Sequence, residues 1–414
     1  MSETPFIAAV RSGDVEAVTA LLDAGADPDT ADEHGTPALC LAVDTFALPV
    51  VEALTGAATL DRVTPDGRTA LLRAIDRGAC DITDELIARG ANPRLKDAEG
   101  RDALALARYW HEMGAVAELR RRNGRSELVK RRTVHGEFGA TCRELSLAGL
   151  TVRDGHTAIL TRLEPMYWIT LSFDELLSRA VAEPDTEHQV WLETTGVLWN
   201  RGGHAVWDAA ASLRHRPDPL ERCFGAEVLR LLDLVDDGNG RPFTEALVDL
   251  FVSWVAQESD PRVTRVLTMG LGNACHPRAE QSLLGLARHR DARVRSAAVD
   301  GLHSALWEGS SAARTAVVER TKDEDAVTRR TACEALALDP WSPTSSDALA
   351  ACLADKDEGV RVEAAARLWQ RFDDRGREVL DSLDCIGVDP AYHSLIEEVW
   401  RLRRATPYAP ATGP

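Results

Sequence analysis

No stretch of this chain approaches the ~18 uninterrupted apolar residues that a membrane-spanning helix needs, so no transmembrane segment is expected. Met1 to Phe6 hold neither a basic nor an apolar region, and no secretory signal is expected there. The eight cysteines, at positions 40, 80, 142, 223, 275, 333, 352 and 385, include no Cys-x-x-Cys pair. That scatter argues against a zinc or disulfide framework and for reduced thiols, packed as small core residues in a cytoplasmic protein. Lysine is scarce, at 96, 130, 322 and 356 alone, so nearly all positive charge is arginine. Catalytic signatures are missing too. There is no His-Glu-x-x-His, no Gly-x-Ser-x-Gly, no phosphate loop and no dinucleotide fingerprint. His289-Arg290-Asp291 copies a kinase catalytic-loop tripeptide, but no Asp-Phe-Gly or glycine-rich loop accompanies it. Asp233 to Thr244 has the glycine of a calcium loop, yet Val235 and Thr244 stand where carboxylate ligands are needed. No catalytic, metal or cofactor residue is assigned; a non-enzyme without cofactor is expected.

What the chain has in excess is acid. Its net charge is -18, from 66 acidic and 48 basic residues. By segment this is -8 over 1–124, +2 over 125–173 and -12 over 174–414. A polyanionic surface repels phosphates and anionic lipid and attracts basic proteins. Nucleic acid and membrane are therefore not the expected partners, and oligomeric state is not legible.

The chain also repeats. Val294, Val327 and Val360 lie 33 residues apart and Val263 precedes them by 31. Small residues (Ala298, Ala332, Ala365) and a leucine (Leu302, Leu336, Leu368) follow each of the three. A helix whose apolar stripe cannot be buried alone must stack on its neighbours, which predicts a solenoid. Prolines and glycine pairs punctuate thirteen predicted helices from 186 to 404, with a capping box at Ser172-Phe173-Asp174-Glu175 ahead of them.

In the first third, Thr4-Pro5-Phe6-Ile7-Ala8-Ala9, Gly35-Thr36-Pro37-Ala38-Leu39, Gly67-Arg68-Thr69-Ala70-Leu71 and Gly100-Arg101-Asp102-Ala103-Leu104 open cycles 32 to 33 residues long. This resembles the ankyrin repeat, without the histidine of that family's signature. Three good repeats and a capping fourth are expected. The resemblance implies protein binding along the finger side, where Asp32, Glu33, Asp66, Arg68, Asp97 and Glu99 stand. The later half resembles HEAT-type repeats, in which Asp-x-x-Val-Arg opens the second helix of each pair. Asp291-Val294-Arg295 and Asp357-Val360-Arg361 match, and that family uses this aspartate and arginine to tie repeats together. Asp300, His303, Arg330, Glu334, Glu363 and Arg367 are the candidates for the exposed side of those second helices.

Residues 125–173 read as an irregular junction. Arg125 to Arg132 suggests a short basic helix or linker, Thr133 to Leu150 alternates like β structure, and Asp154-Gly155-His156 is either a tight hairpin or, preferred, a helix start. The expected architecture is all-α: a double α-solenoid with an ankyrin-repeat domain at 1–124, the junction at 125–173, a HEAT-like domain at 174–404 and a disordered tail at 405–414. Both resemblances imply a protein-binding scaffold. The expected role is an adaptor or inhibitor of a basic protein or peptide, in the manner of immunity proteins that occupy a nuclease active site. Two alternatives stand beside it. A HEAT-like DNA glycosylase would cradle a base with tryptophans such as Trp207 beside Asp208, with Trp191, Trp199 and Trp254 on stacked helices; an accessory protein of a biosynthetic pathway would carry a peptide or ligand.

Overall fold

The computed structural model describes residues 4–123, 128–136, 139–235, 240–339 and 342–383, with Tyr392, Leu395 and Arg401. The predicted helix at 390–404, the tail at 405–414 and Cys385 lie essentially outside these residues. Two compact units divide between Val206 and Trp207.

The first unit begins with four helix pairs: α1 (Pro5–Ser12) and α2 (Val15–Asp23), α3 (Ala38–Asp44) and α4 (Leu48–Thr55), α5 (Ala70–Arg77) and α6 (Cys80–Ala88), α7 (Ala103–Met113) and α8 (Ala115–Asn123). The first helices α1, α3, α5 and α7 pack in one row, and α2, α4 and α6 in a second. Local chemistry sets the helix starts. Thr4, Thr69 and Asp102 accept the third-residue N–H of α1, α5 and α7 with their side chains. The second repeat departs, because Pro37 occupies the cap of α3 and offers no side-chain acceptor. Between pairs the chain turns back on itself. Asp32, Thr64 and Asp97 each donate their backbone N–H to the carbonyl four residues on and accept at their own carbonyl from Gly35, Gly67 and Gly100, whose positive φ of about 80° closes each turn.

The stack ends on a buried polar knot. Asp76 of α5 accepts from Trp110 Nε1 (3.0 Å), Arg68 (2.6 Å) and both terminal nitrogens of Arg122 (2.8 and 2.7 Å). Arg122 lies 4.6 Å above the Trp110 ring, whose other partner is His156, stacked at 4.3 Å and 9°. Arg121 and Arg122 also satisfy the buried Glu118. Two members of the basic run Arg120-Arg121-Arg122 are thus spent on the last repeat itself.

After α8 the chain forms a three-stranded antiparallel sheet in the order β1 (Lys130–His135), β2 (Thr141–Leu147) and β3 (Leu150–Arg153). Lys130, Arg131 and Arg132 are therefore strand residues rather than helix or linker. They line the exposed edge strand, where basic side chains discourage further pairing. Arg132, Glu144 and Arg153 sit in register across the three strands, and Arg153 reaches Asp81 of α6 at 3.0 Å and covers the Phe46 ring at 4.5 Å. These contacts fasten the sheet to the repeats. At Asp154-Gly155 the chain starts a helix rather than a hairpin. That helix, α9 (His156–Leu163), packs on α7 and so extends the row of first helices by one. The helices α10 (Phe173–Val181), opened by the Ser172–Glu175 capping box, and α11 (Gln189–Arg201) complete the unit.

Twelve helices follow among the described residues: α12 (Gly203–Ser212), α13 (Pro219–Asp233), α14 (Thr244–Val255), α15 (Pro261–Asn273), α16 (Glu280–Leu286), α17 (Ala292–Gly301), α18 (His303–Trp307), α19 (Ser311–Arg320), α20 (Ala326–Leu336), α21 (Pro343–Cys352), α22 (Glu358–Gln370) and α23 (Arg375–Leu383). In the second unit α13, α15, α17, α20 and α22 pack consecutively, each on the next. The segment 292–307, predicted as one helix, breaks at Leu302 into α17 and α18. Gly272 and Gly301 let α15 and α17 approach closely. A Cβ on Gly272 would stand 2.6 Å from the Gly301 backbone.

A charge ladder ties this row together. Asp218, Asp260, Asp291, Asp325 and Asp357 cap the five helices with their carboxylates. Four residues after a cap, an arginine reaches forward to an acid two residues before the next cap. Arg222 holds Glu258 through two bonds of 2.9 Å, Arg295 holds Asp323 at 2.9 and 2.6 Å, and Arg329 holds Asp355 twice at 2.8 Å. The motif's own aspartate caps its helix; a different acid receives the arginine. One rung is changed on both sides, since Thr264 replaces the arginine and His289 the acid. His289 still performs the acid's local task, accepting the Asp291 N–H at 3.0 Å. This accounts for the kinase-like tripeptide as a turn of the repeat.

Candidate protein-binding surfaces

On the first unit the candidate surface is the row of turns between repeats. Asp32 and Asp97 do not point outward. Asp32 accepts the N–H groups of His34 (2.9 Å) and Thr36 (2.8 Å) and pairs with Arg11, leaving its side chain 3% exposed. Asp97 does the same for Glu99 and Arg101 and is fully covered. Those hydrogen bonds and the neighbouring guanidinium outweigh burial and lower both carboxyl pKa values. An aspartate that closes its own turn is a structural residue. Thr64 holds the equivalent place in the third repeat, bonding the Arg68 N–H at 3.1 Å. Arg68 is also turned inward, to Asp76. What remains at the fingertips is Glu33, Asp66 and Glu99, all exposed.

On the second unit Asp300, Arg330 and Glu334 are exposed. Glu363 is buried, and Arg367 of the same helix bonds it at 2.7 Å while also reaching Glu334 at 3.8 Å. Burial raises the Glu363 pKa, which Arg367 only partly offsets. Glu334, Glu363 and Arg367 thus form one cluster between α20 and α22. His303 donates from Nδ1 to the Asp300 carbonyl at 2.9 Å and faces Cys275 with Nε2 at 3.3 Å. The candidates fall into the α20–α22 cluster and this pair near the start of α18. A cleft of about 360 Å³ lies elsewhere, lined by Arg214, His215, Arg216, Arg222, Trp254 and Glu258 among others.

The tryptophans divide. Trp191 and Trp254 are buried and donate their indole N–H to the Glu183 carbonyl (2.8 Å) and the Glu258 carboxylate (3.2 Å). Trp207 stacks on Phe243 at 4.7 Å and 7°, so one face of its ring is already occupied. Trp199 is 42% exposed, and Trp168 and Trp307 are more open still, at 90% and 70%.

Two groups that no motif announced could each offer three metal-ligand atoms within 4.8 Å of one another. Asp154, Glu183 and His188 are bridged by Arg143, which bonds both carboxylates. Burial raises the Asp154 pKa, but His188 and Arg143 outweigh it and hold it at about 2. At Cys80, Asp84 and Glu193 the Arg162 guanidinium lies 3.2 Å from Asp84. Burial and the Asp84 charge push Glu193 up to about 7. These residues come from separate elements, α6 and α11, with no sequence spacing to link them.

The fold and surfaces define a helical-repeat protein. The family model described as "Ankyrin repeat" matches residues 2–33, and that described as "HEAT repeats" matches 248–337. The chain thus carries an ankyrin repeat at its start and HEAT repeats in its second half. It is similar to a "Putative ankyrin repeat-containing protein" of Treponema pallidum (strain Nichols), with 34% identity over 110 residues, 25% of this chain and 36% of the relative. The match spans little more than a third of that relative's length. Among solved structures, the X-ray structure of Escherichia coli YibA aligns with a TM-score of 0.41 and 17% identity, over 57% of this chain and 93% of that one. Among the described residues no helix is long and apolar enough to cross a membrane.

Proposed function

We propose that this chain is a non-catalytic cytoplasmic scaffold, an adaptor or inhibitor that binds a basic protein or peptide through acidic repeat surfaces. The observation that carries this is where the charge is spent. Many arginines are consumed in pairing with carboxylates inside the protein, in the ladder, at Asp76 and at Glu118. The chain still carries an excess of 18 acidic charges, and three exposed carboxylates, Glu33, Asp66 and Glu99, stand at successive turns between repeats, with Arg73 3.7 Å from Asp66 and Arg101 3.0 Å from Glu99. Acids so repeated suit a partner with several spaced cations and speed its encounter. In this reading residues 1–124 and 174–404 are the binding domains and 125–173 joins them. Arg330, Glu334 and Arg367 at α20 and α22, and Asp300 with His303 at the α17–α18 junction, offer further contacts, while the buried Glu363 orients Arg367.

The test is a titration of the captured partner against the triple variant Glu33→Lys, Asp66→Lys, Glu99→Lys at low salt. Affinity lost by tenfold or more supports the fingertips as the contact, and unchanged affinity removes them from it. Asp32→Asn and Asp97→Asn serve as controls that weaken the turns without reversing surface charge.

A further inference from the structure

Seven cysteines fall among the described residues, and six of them are buried. Burial pushes the thiols of Cys40, Cys142 and Cys223 up to about 12, which makes them poor nucleophiles. Cys275 has different surroundings. It is exposed, follows the C-terminus of α15 with a φ of +50°, and has its sulfur 3.3 Å from Nε2 of His303. The imidazole is held in place by the carbonyl of Asp300, 2.9 Å from Nδ1. A carbonyl oxygen can only accept, so Nδ1 carries the proton and Nε2 of the neutral ring presents its lone pair to the thiol. A nucleophile, a base and a group that orients the base are therefore assembled from α15, the turn after it and the α17–α18 junction.

We infer that Cys275 is a nucleophilic thiol served by His303, a site of reversible modification by small disulfides carrying neutral or positive groups. His303 Nε2 takes the thiol proton, and the sulfur attacks one sulfur of the disulfide. That S–S bond breaks, a mixed disulfide forms on Cys275, and the departing thiolate recovers the proton as a free thiol. The disulfide is the only oxidant required. The charge preference comes from the surroundings, since Cys275 borders a narrow cleft that Glu280 and Glu308 also line. A carboxylate-bearing disulfide is repelled there and an ammonium-bearing one is attracted.

The experiment uses the full chain with cystamine at neutral pH, acid quenching and peptide mass spectrometry. The mixed disulfide should form on Cys275 ahead of the other cysteines, and at least about threefold faster than on a free model thiol, because His303 removes the thiol proton as the sulfur attacks. His303→Gln should slow it to the model-thiol rate while leaving far-UV circular dichroism and Tm unchanged. Dithiodiglycolate, the anionic counterpart, should react more slowly than cystamine at low salt and approach it at high salt. Equal rates for wild type and His303→Gln, or an adduct mainly on another cysteine, would overturn the assignment. Cys275→Ser, which keeps the surface and removes the sulfur, must abolish the fast adduct.

Discussion

Replacing Asp323 by alanine tests the ladder where it is best buried. Asp323 is 7% exposed and Arg295 5%, and the carboxylate accepts four hydrogen bonds, two from Arg295, one from Arg320 at 3.2 Å and one from the Asp325 N–H at 3.0 Å. Removing it leaves a buried guanidinium with two carbonyl partners, His289 and Arg290, at 3.1 Å and the exposed Glu324 carboxylate at 3.4 Å. Breaking a buried pair costs about 3–5 kcal/mol, and the solvated Glu324 places this loss toward the lower end. A repeat array opens in parts, so the loss should be read locally, as faster native-state hydrogen exchange in α17 and α20, alongside urea unfolding. The pair Arg295→Met with Asp323→Leu removes both charges and should lie within about 1 kcal/mol of the wild type. A loss below about 1 kcal/mol for Asp323→Ala, or a double variant as poor as the two singles summed, would refute the reasoning. The pH sign follows from the same geometry. Hydrogen bonds from Arg295 outweigh burial and lower the Asp323 pKa, as those from Arg329 do for Asp355. Their contribution is present above the ordinary carboxylate range near 4 and is lost as pH falls below it.

Restoring the altered rung with Thr264→Arg and His289→Asp together should give a protein about 2 kcal/mol more stable than the worse single variant, measured by urea midpoints, since either single buries an unpaired charge. His156, buried and pushed down to about 4, stays neutral in the fold while the unfolded chain takes up a proton near 6.5. Wild type should therefore lose up to about 3 kcal/mol relative to His156→Phe as pH drops from about 6.5 toward 4; parallel stability curves would contradict it. Glu193 runs the other way. Raised to about 7, it keeps its proton in the fold, so wild type loses stability as pH rises from about 4.5 to 7, and Glu193→Gln should be roughly 2 kcal/mol better above pH 7 than at pH 5, judged against wild type by thermal melts.

Much of the architecture was legible because repetition is a strong signal. The spacing of Val294, Val327 and Val360, and that of Thr4, Thr36, Thr69 and Asp102 at the helix starts, each report one structural unit several times over. The sheet was less legible, since only Thr133 to Leu150 alternated clearly and the exposed edge strand Lys130–His135 has no buried face to pattern it. At the surface, sequence grouped Asp32 and Asp97 with Glu33 and Glu99. The distinction lay in position, because an aspartate three residues before the turn glycine accepts its own backbone N–H groups. Arg68 was misplaced for a longer-range reason: its partner Asp76 is eight residues on, near the end of α5, and is buried with Trp110 and Arg122. Cys275 with His303, and Cys80 with Glu193, join residues from separate helices, and no local spacing reveals them.

The most direct test of the scaffold reading is affinity capture of the intact protein from its native lysate, at low salt and at ~0.5 M salt where surface charge is screened, with mass spectrometry of what is retained. The account predicts a basic protein or peptide held at low salt and shed at high salt. Nucleic acid in the eluate, or a partner that is acidic and indifferent to salt, would contradict it.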